Sequence, residues 1–263
     1  MSNRVKNFVK RSASRFNIGI AKFSHLEELE ELNLAYSSLD DVLGFSGARA
    51  IQLLRPLRAS KSQLRQDVFV LSELGLKREG FFVELGAADG VYFSNTHLLE
   101  KEFSWKGILA EPARCWQRAL KKNRGCTIET ACVWRESNLK LTFNEVDEKD
   151  YSTIDSLSFS DMHAHFREKG KKYEVTTISL DDLLDKHQAP KVIDYLSIDT
   201  EGSEFEILDS FNFSRYQFRI ITCEHNYEPQ REKVFSLLTA NGFQRKFEKH
   251  SRFDDWYVNP DLI

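Results

Sequence analysis

From Phe81 onward, short β-rich runs alternate with helical patterns, and that alternation restricts the fold of this 263-residue chain more than any single motif. The runs are "FFVEL", "GILAE", "IETACVW", "KLTFNEV", "YEVTTIS", "IDYLSID", "FRIITCE" and "DWYV". Helical spacing falls between most of them, over 96–103, 113–123, 180–187, 204–211 and 228–241. Alternation of this kind predicts an α/β fold with a doubly wound, mainly parallel sheet and helices on both faces. The last connection, "NGFQRKFEKHSRFDDWYV", lacks a helical pattern, which predicts a hairpin and an antiparallel final strand. A doubly wound sheet binds its ligand outside the carboxyl ends of its strands, so those ends carry the chemistry.

The residues before Phe81 read differently. Arg4, Lys6, Lys10, Arg11, Arg15 and Lys22 alternate with Val5, Phe8, Val9, Phe16 and Ile18. Two readings stand open for residues 1–22: a basic amphipathic helix on the inner face of a membrane or on a partner, or an arm solvated by its charges. Leu26, Leu29 and Leu32 have helical spacing, and a second helical stretch runs to Leu57. Together they predict a helical extension over 1–60, a dimerisation element, lid or packing piece, ahead of an α/β domain over 61–263. Another helix is expected over 62–76, closed by Gly75 and Gly80.

Composition excludes several classes. A net charge of −3 gives no general argument for nucleic acid as a partner. No apolar run approaches the roughly 20 residues that span a bilayer, and the basic N-terminus lacks a secretory apolar core. Cys115, Cys126, Cys132 and Cys223 form no C-x-x-C pair, so zinc spacing is absent and thiols in a reducing cytoplasm are expected.

The first strand end reads "VELGAADG". Its glycines, Gly86 and Gly90, have neither the G-x-G-x-x-G spacing of a dinucleotide fold nor the G-K-[ST] of a Walker loop. Glu84 and Asp89 beside the turn oppose a pyrophosphate and suit a cofactor bearing an ammonium and a sulfonium, namely S-adenosylmethionine. The second strand ends in "LAEP", where Glu111 is placed to accept both hydroxyls of a ribose.

These motifs, with "SQLRQD", "FFVELGAADGVYFSNT", "GILAEP", "VTTISLDDLL", "IDYLSIDTEGSEFEIL", "ITCEHN" and "DWYV", resemble in order and spacing the FkbM family of methyltransferases, from about Ser62 to the C-terminus. The resemblance implies a class I Rossmann-like methyltransferase fold, S-adenosylmethionine as cofactor and O-methylation, commonly of a sugar or glycan hydroxyl. It implies that Glu84, Gly86, Ala87, Asp89 and Gly90 surround the methionine end, and that Glu111 and Pro112 meet the ribose. Gln66 and Asp67 would reach the methionine end from the preceding helix. Ser94, Asn95 and Thr96 stand where a helix begins, as cofactor contacts or as caps. Methyltransferases often carry an acid after the third strand for the adenine amine. This chain has "IETACVWRES", so Val133 and Trp134 are expected to give a backbone contact and an aromatic wall.

The fourth and fifth strand ends carry Asp199, Glu201 and Glu204, and Glu224, His225 and Asn226. One reading makes Asp199, Glu224 and His225 or Asn226 ligands of Mg²⁺ or a similar ion that acidifies the acceptor hydroxyl. The other makes His225 or Asp199 a general base, with Asp199 also touching the cofactor. Glu204 reads as a helix-terminus charge. His163 and His165 are too poorly placed on a helix or loop to read as a metal pair. The polar stretch 147–172 predicts a substrate-covering insertion, with Tyr151, Ser152, Thr153 and Asp155, together with Glu201, meeting the acceptor. A nicotinamide oxidoreductase and a non-catalytic glycan-binding or assembly protein on the same fold are the competing expectations.

Overall fold

Computed from the sequence, the structural model describes residues 49–146, 152–157, 165 and 168–263. In chain order, its first half contains α1 (Ala50–Ala59), α2 (Gln66–Glu73), β1 (Phe81–Leu85), α3 (His97–Phe103), β2 (Lys106–Ala110), α4 (Arg114–Asn123), β3 (Thr127–Glu129), β4 (Cys132–Val133) and β5 (Lys140–Glu145). There follow β6 (Thr153–Ile154), β7 (Lys171–Ile178), α5 (Leu180–Lys186), β8 (Val192–Ile198), α6 (Glu204–Asp209), β9 (Gln217–Glu224), α7 (Gln230–Ala240), β10 (Gln244–Lys246), α8 (Glu248–Ser251) and β11 (Asp254–Val258). All of these lie within one unit, Val42–Ile263. The basic arm, the leucine-spaced stretch from Leu26, Tyr151 and His163 fall outside the described residues.

The central sheet has seven strands in the order β3-β2-β1-β8-β9-β11-β10. The neighbours from β3 to β9 pair in parallel, whereas β11 is antiparallel to both β9 and β10. β1 sits in the interior of the sheet, with Val83 opposite Ile108 on one side and Leu196 on the other. Side chains alternate between faces along a strand. Val83 and Leu85 therefore join a core with Leu183, Ile207 and Leu238 from α5, α6 and α7. Phe82 and Glu84 point the other way, where the Arg124 guanidinium lies 5.6 Å from the Phe82 ring. On α2, Phe69 stacks on Trp256 of β11 at 4.6 Å. Helices thus cover both faces, and the doubly wound α/β fold is the one that the alternation predicts.

Two expectations are corrected. "IETACVW" is not one strand: Glu129 ends β3 and its carboxylate accepts the backbone N–H of Thr130 (2.9 Å) and Ala131 (3.0 Å), turning the chain out of the central sheet. "KLTFNEV" and "YEVTTIS" also leave it, pairing antiparallel as β5 and β7 in a second sheet of order β4-β7-β5-β6. The final strand is antiparallel, as expected. β11 inserts between β9 and β10, which buries every residue from Asp254 to Val258. Of the expected extension, α1 buries Leu53 and Leu57.

Candidate active site

The turn after β1 is shaped by contact with its neighbour. Gly86 has φ +84°, and a Cβ there would stand 1.7 Å from the Asp199 carbonyl oxygen, so only glycine fits. Gly90, with φ +78°, backs onto the side chains of Leu120 and Arg124. Arg124 has a fully buried side chain and organises this whole corner. It donates to Glu100 (2.6 Å), the Gly90 carbonyl (3.0 Å), Ser94 (3.0 Å) and Thr96 (2.9 Å), and lies 3.7 Å from Glu84.

Glu84 is consumed by the same network. It accepts from the Asn95 backbone N–H at 2.7 Å and the Ser94 hydroxyl at 3.1 Å, and from the Thr96 hydroxyl. Burial pushes its carboxyl up, and Arg124 and these donors pull it back. Asp89 accepts the backbone N–H groups of Val91 and Tyr92, both at 2.8 Å, in a local turn. The two acids of "VELGAADG" are thus committed to holding the turn.

A cavity of about 350 Å³ opens at the carboxyl ends of the strands, the size of a small-molecule site. Its acids are Glu84, Glu111, Asp199, Glu201, Glu224 and Asp254, and no Lys, Arg or His lines it among the described residues. Glu111 accepts the N–H of Ala88 at 2.8 Å and of Ala113 at 2.7 Å. Burial, with Asp199 and Glu145 adding to it, pushes its carboxyl up to about 7 against those two donors. Gly86, Ala87, Pro112 and Val133 also face the cavity. Trp134 does not: it packs under the second sheet with Ile154 and Val175, and Trp116 and Phe143 supply the aromatic wall instead.

On the opposite side stand Gln66, Ser94 and Asn95, the last donating to Ser197 at 3.0 Å. Gly90 and Thr96 lie behind the wall, held by Arg124. Asp67 is buried away from the cavity. It accepts from the Ser60 hydroxyl (2.7 Å) and the Val68 N–H (2.8 Å), and burial raises its carboxyl to about 7. Gln66 donates from Nε2 to Asp254 at 2.7 Å. Asp254 is a cavity acid that sequence reasoning missed. Burial, with Asp199 and Asp255 contributing, pushes it up to about 8 against the Gln66 bond. The signal was topological: an antiparallel strand begins where its parallel neighbours end, so Asp254 pairs with Glu224.

Asp199, Glu201 and Glu224 come together, each offering a carboxylate oxygen within 4.8 Å of the others. Burial first, then Asp199 and Glu201, raise the Glu224 carboxyl well above its usual range. His225 does not join them, contrary to the expectation that made it a ligand or base. It follows Glu224 directly, and successive side chains of extended chain point to opposite sides. Its Nδ1 accepts the Tyr227 N–H at 2.9 Å, and its Nε2 lies 3.7 Å from Asp255, while burial lowers its basicity. Asn226 does line the cavity. Glu204 folds back onto the N–H groups of Thr200 (2.8 Å) and Gly202 (3.1 Å), closing its own loop.

From the insertion, Ser152 and Ile154 face the cavity. Thr153 instead donates to the Glu201 carbonyl at 2.9 Å, and Asp155 pairs with Lys172 at 2.7 Å. His165 is exposed. No helix of the described residues is long and apolar enough to cross a membrane.

No curated protein matches the chain in sequence. Among solved structures, a precorrin-6y C5,15-methyltransferase from Geobacter metallireducens is 12% identical over 68% of this chain and 71% of its own, with a TM-score of 0.39. A human methyltransferase 10 domain containing protein is 12% identical over 85% of this chain and 97% of its own, with a TM-score of 0.37. The model of the methyltransferase FkbM domain matches residues 84–256, well over half of the sequence, and the chain belongs to that family.

Proposed function

We propose that this methyltransferase transfers a methyl group from S-adenosylmethionine to a hydroxyl of a sugar, in a glycan or a glycosylated metabolite. One observation carries the cofactor half: the cavity is walled by carboxyl groups with no Lys, Arg or His among the described residues. Those acceptors suit an ammonium and a sulfonium and leave a pyrophosphate without a partner, which argues against a nicotinamide dinucleotide. When bound, S-adenosylmethionine supplies an electrophilic methyl group on its sulfonium.

The chain's own residues supply binding and alignment. Glu111, already fixed by two backbone donors, is the acceptor for the ribose hydroxyls. Trp116 and Val133 form the wall for the adenine. Asp199 and the Gln66–Asp254 pair border the methionine end and take its ammonium. Glu201 and Glu224 face the acceptor. A sugar hydroxyl has to lose its proton as the methyl arrives, and a carboxylate whose basicity is raised by burial and neighbouring acids is a better base for that step. The clustering of Asp199, Glu201 and Glu224 favours a second reading, in which a hard divalent cation shared by these three acidifies the hydroxyl.

The test is transfer of isotope-labelled methyl to glycan acceptors, with and without chelator. Label in an ether stable to alkali is the expected product. Label released as methanol by mild alkali would identify a carboxyl ester, and label on nitrogen an amine acceptor, and either would contradict O-methylation of a sugar. Activity abolished by chelator and restored by Mg²⁺ selects the metal reading, and activity indifferent to both selects the carboxylate base.

A further inference from the structure

We propose that Tyr92, Phe93 and Tyr227 form the acceptor platform of the site and that it takes an uncharged pyranose ring; the proposal rests on the methyl-transfer reading above. Among the described residues these three are the exposed large aromatic side chains, at 55%, 39% and 65%, and all three border the same cavity. Single exposed apolar residues need no explanation. A set confined to the mouth of one cavity does.

The loops that carry them are built to hold them there. Phe93 and Tyr227 have φ of +54° and +60°, and Asn226 has +44°, a left-handed backbone that bulky side chains rarely adopt. Such a backbone persists only where surrounding bonds fix it. Asp89 supplies two of those bonds to the N–H groups of Val91 and Tyr92. His225 accepts the Tyr227 N–H and packs edge-on against the Tyr227 ring at 5.4 Å. The Tyr92 and Phe93 rings lie 3.9 Å apart between centroids. Asp89 and His225, expected as chemical groups, are positioning residues for the aromatic mouth.

The walls below choose the ligand. An anionic acceptor, whether a uronate, a sugar phosphate or a nucleic acid, would meet Asp199, Glu201 and Glu224 with no Lys, Arg or His lining the cavity among the described residues to offset them. A pyranose presents a flat C–H face to the negative face of an aromatic ring, and hydroxyls to carboxylate acceptors. One ring can stack at the mouth while a hydroxyl enters the acid cluster.

The experiment is saturation-transfer NMR on protein loaded with S-adenosylhomocysteine, using methyl α-glucopyranoside, methyl α-mannopyranoside and methyl β-galactopyranoside as probes beside glucuronate and uridine. Pyranoside ring protons are expected to be saturated. Tyr92→Ala and Tyr227→Ala should each weaken that binding by between about two- and tenfold, with S-adenosylhomocysteine affinity by calorimetry unchanged. His225→Gln, which keeps an acceptor for the Tyr227 N–H, retains pyranoside binding, and His225→Phe loses it at constant cofactor affinity. S-adenosylhomocysteine binding without pyranoside saturation overturns the proposal alone, as does equal binding of uridine or glucuronate, or loss of cofactor affinity in the alanine variants. A wild-type protein that binds no S-adenosylhomocysteine overturns the methyl-transfer reading and the platform with it.

Discussion

Arg124 shows how much of a site rests on a residue with no motif. It sits one position past α4, followed by a glycine, and reads in the sequence as an ordinary basic residue at a helix end. In the fold its guanidinium is buried and joins Glu84, Glu100, Ser94, Thr96 and the Gly90 carbonyl. Removing one partner of a buried ion pair leaves an uncompensated charge, at a cost of about 3–5 kcal/mol. Arg124→Met is therefore expected to lower the thermal midpoint sharply and to weaken cofactor binding through the displaced glycine turn. A variant as stable as wild type would mean that Glu84 does not depend on Arg124. Glu111 was legible because a strand end predicts an acid's position from local sequence alone. Arg124 and Asp254 were not, because their partners lie tens to nearly two hundred residues away; Gln66 and Asp254 are 188 apart.

The elements themselves were mostly legible, since hydrophobic period reports whether a segment is helix or strand. It does not report which strand pairs with which. "IETACVW" has the composition of one strand, yet Glu129 ends β3 and sends the chain to a second sheet. Glu129 also binds Lys186 (2.6 Å) and His187 (3.0 Å) at the end of α5, so one carboxylate ties the break between the sheets to a helix. Burial alone would raise that carboxyl, but Lys186, the Ala131 N–H and His187 outweigh it and hold it at about 2, below the ordinary 4.5. Glu100 is held at about 2 in the same way, by Lys101, the Gly125 N–H and Arg124. A carboxyl depressed in the folded state stabilises it above the ordinary value and loses that contribution as pH falls toward the folded one. The midpoint of the ligand-free protein should therefore drop steeply between about pH 4.5 and 2, and less steeply in Glu129→Gln.

For the whole molecule, the sequence argued for S-adenosylmethionine from the acids of "VELGAADG", and the fold moves that argument elsewhere. Glu84 and Asp89 serve the turn, and the carboxyls that leave a phosphate without a partner come from the ends of β2, β8, β9 and β11. No stretch of sequence displays that ring of acids, because only the strand order assembles it. The ring has a linkage signature of its own. Its members Glu111 and Asp254 are raised by burial to about 7 and 8, and Asp67, buried away from the cavity, is raised to about 7. A raised carboxyl stabilises the fold fully below its ordinary value and loses that contribution as pH climbs to the folded one. Without ligand, the midpoint should thus fall as pH rises through 7 and 8, and a bound cation-bearing cofactor should flatten that limb.

Calorimetric titration of the wild-type chain and Glu111→Ala with S-adenosylhomocysteine tests the central claim most directly. The account predicts micromolar binding to wild type, weakened at least about thirtyfold in the variant by loss of a charged acceptor for two hydroxyls. Absence of binding to wild type, or equal binding by both proteins, would contradict it.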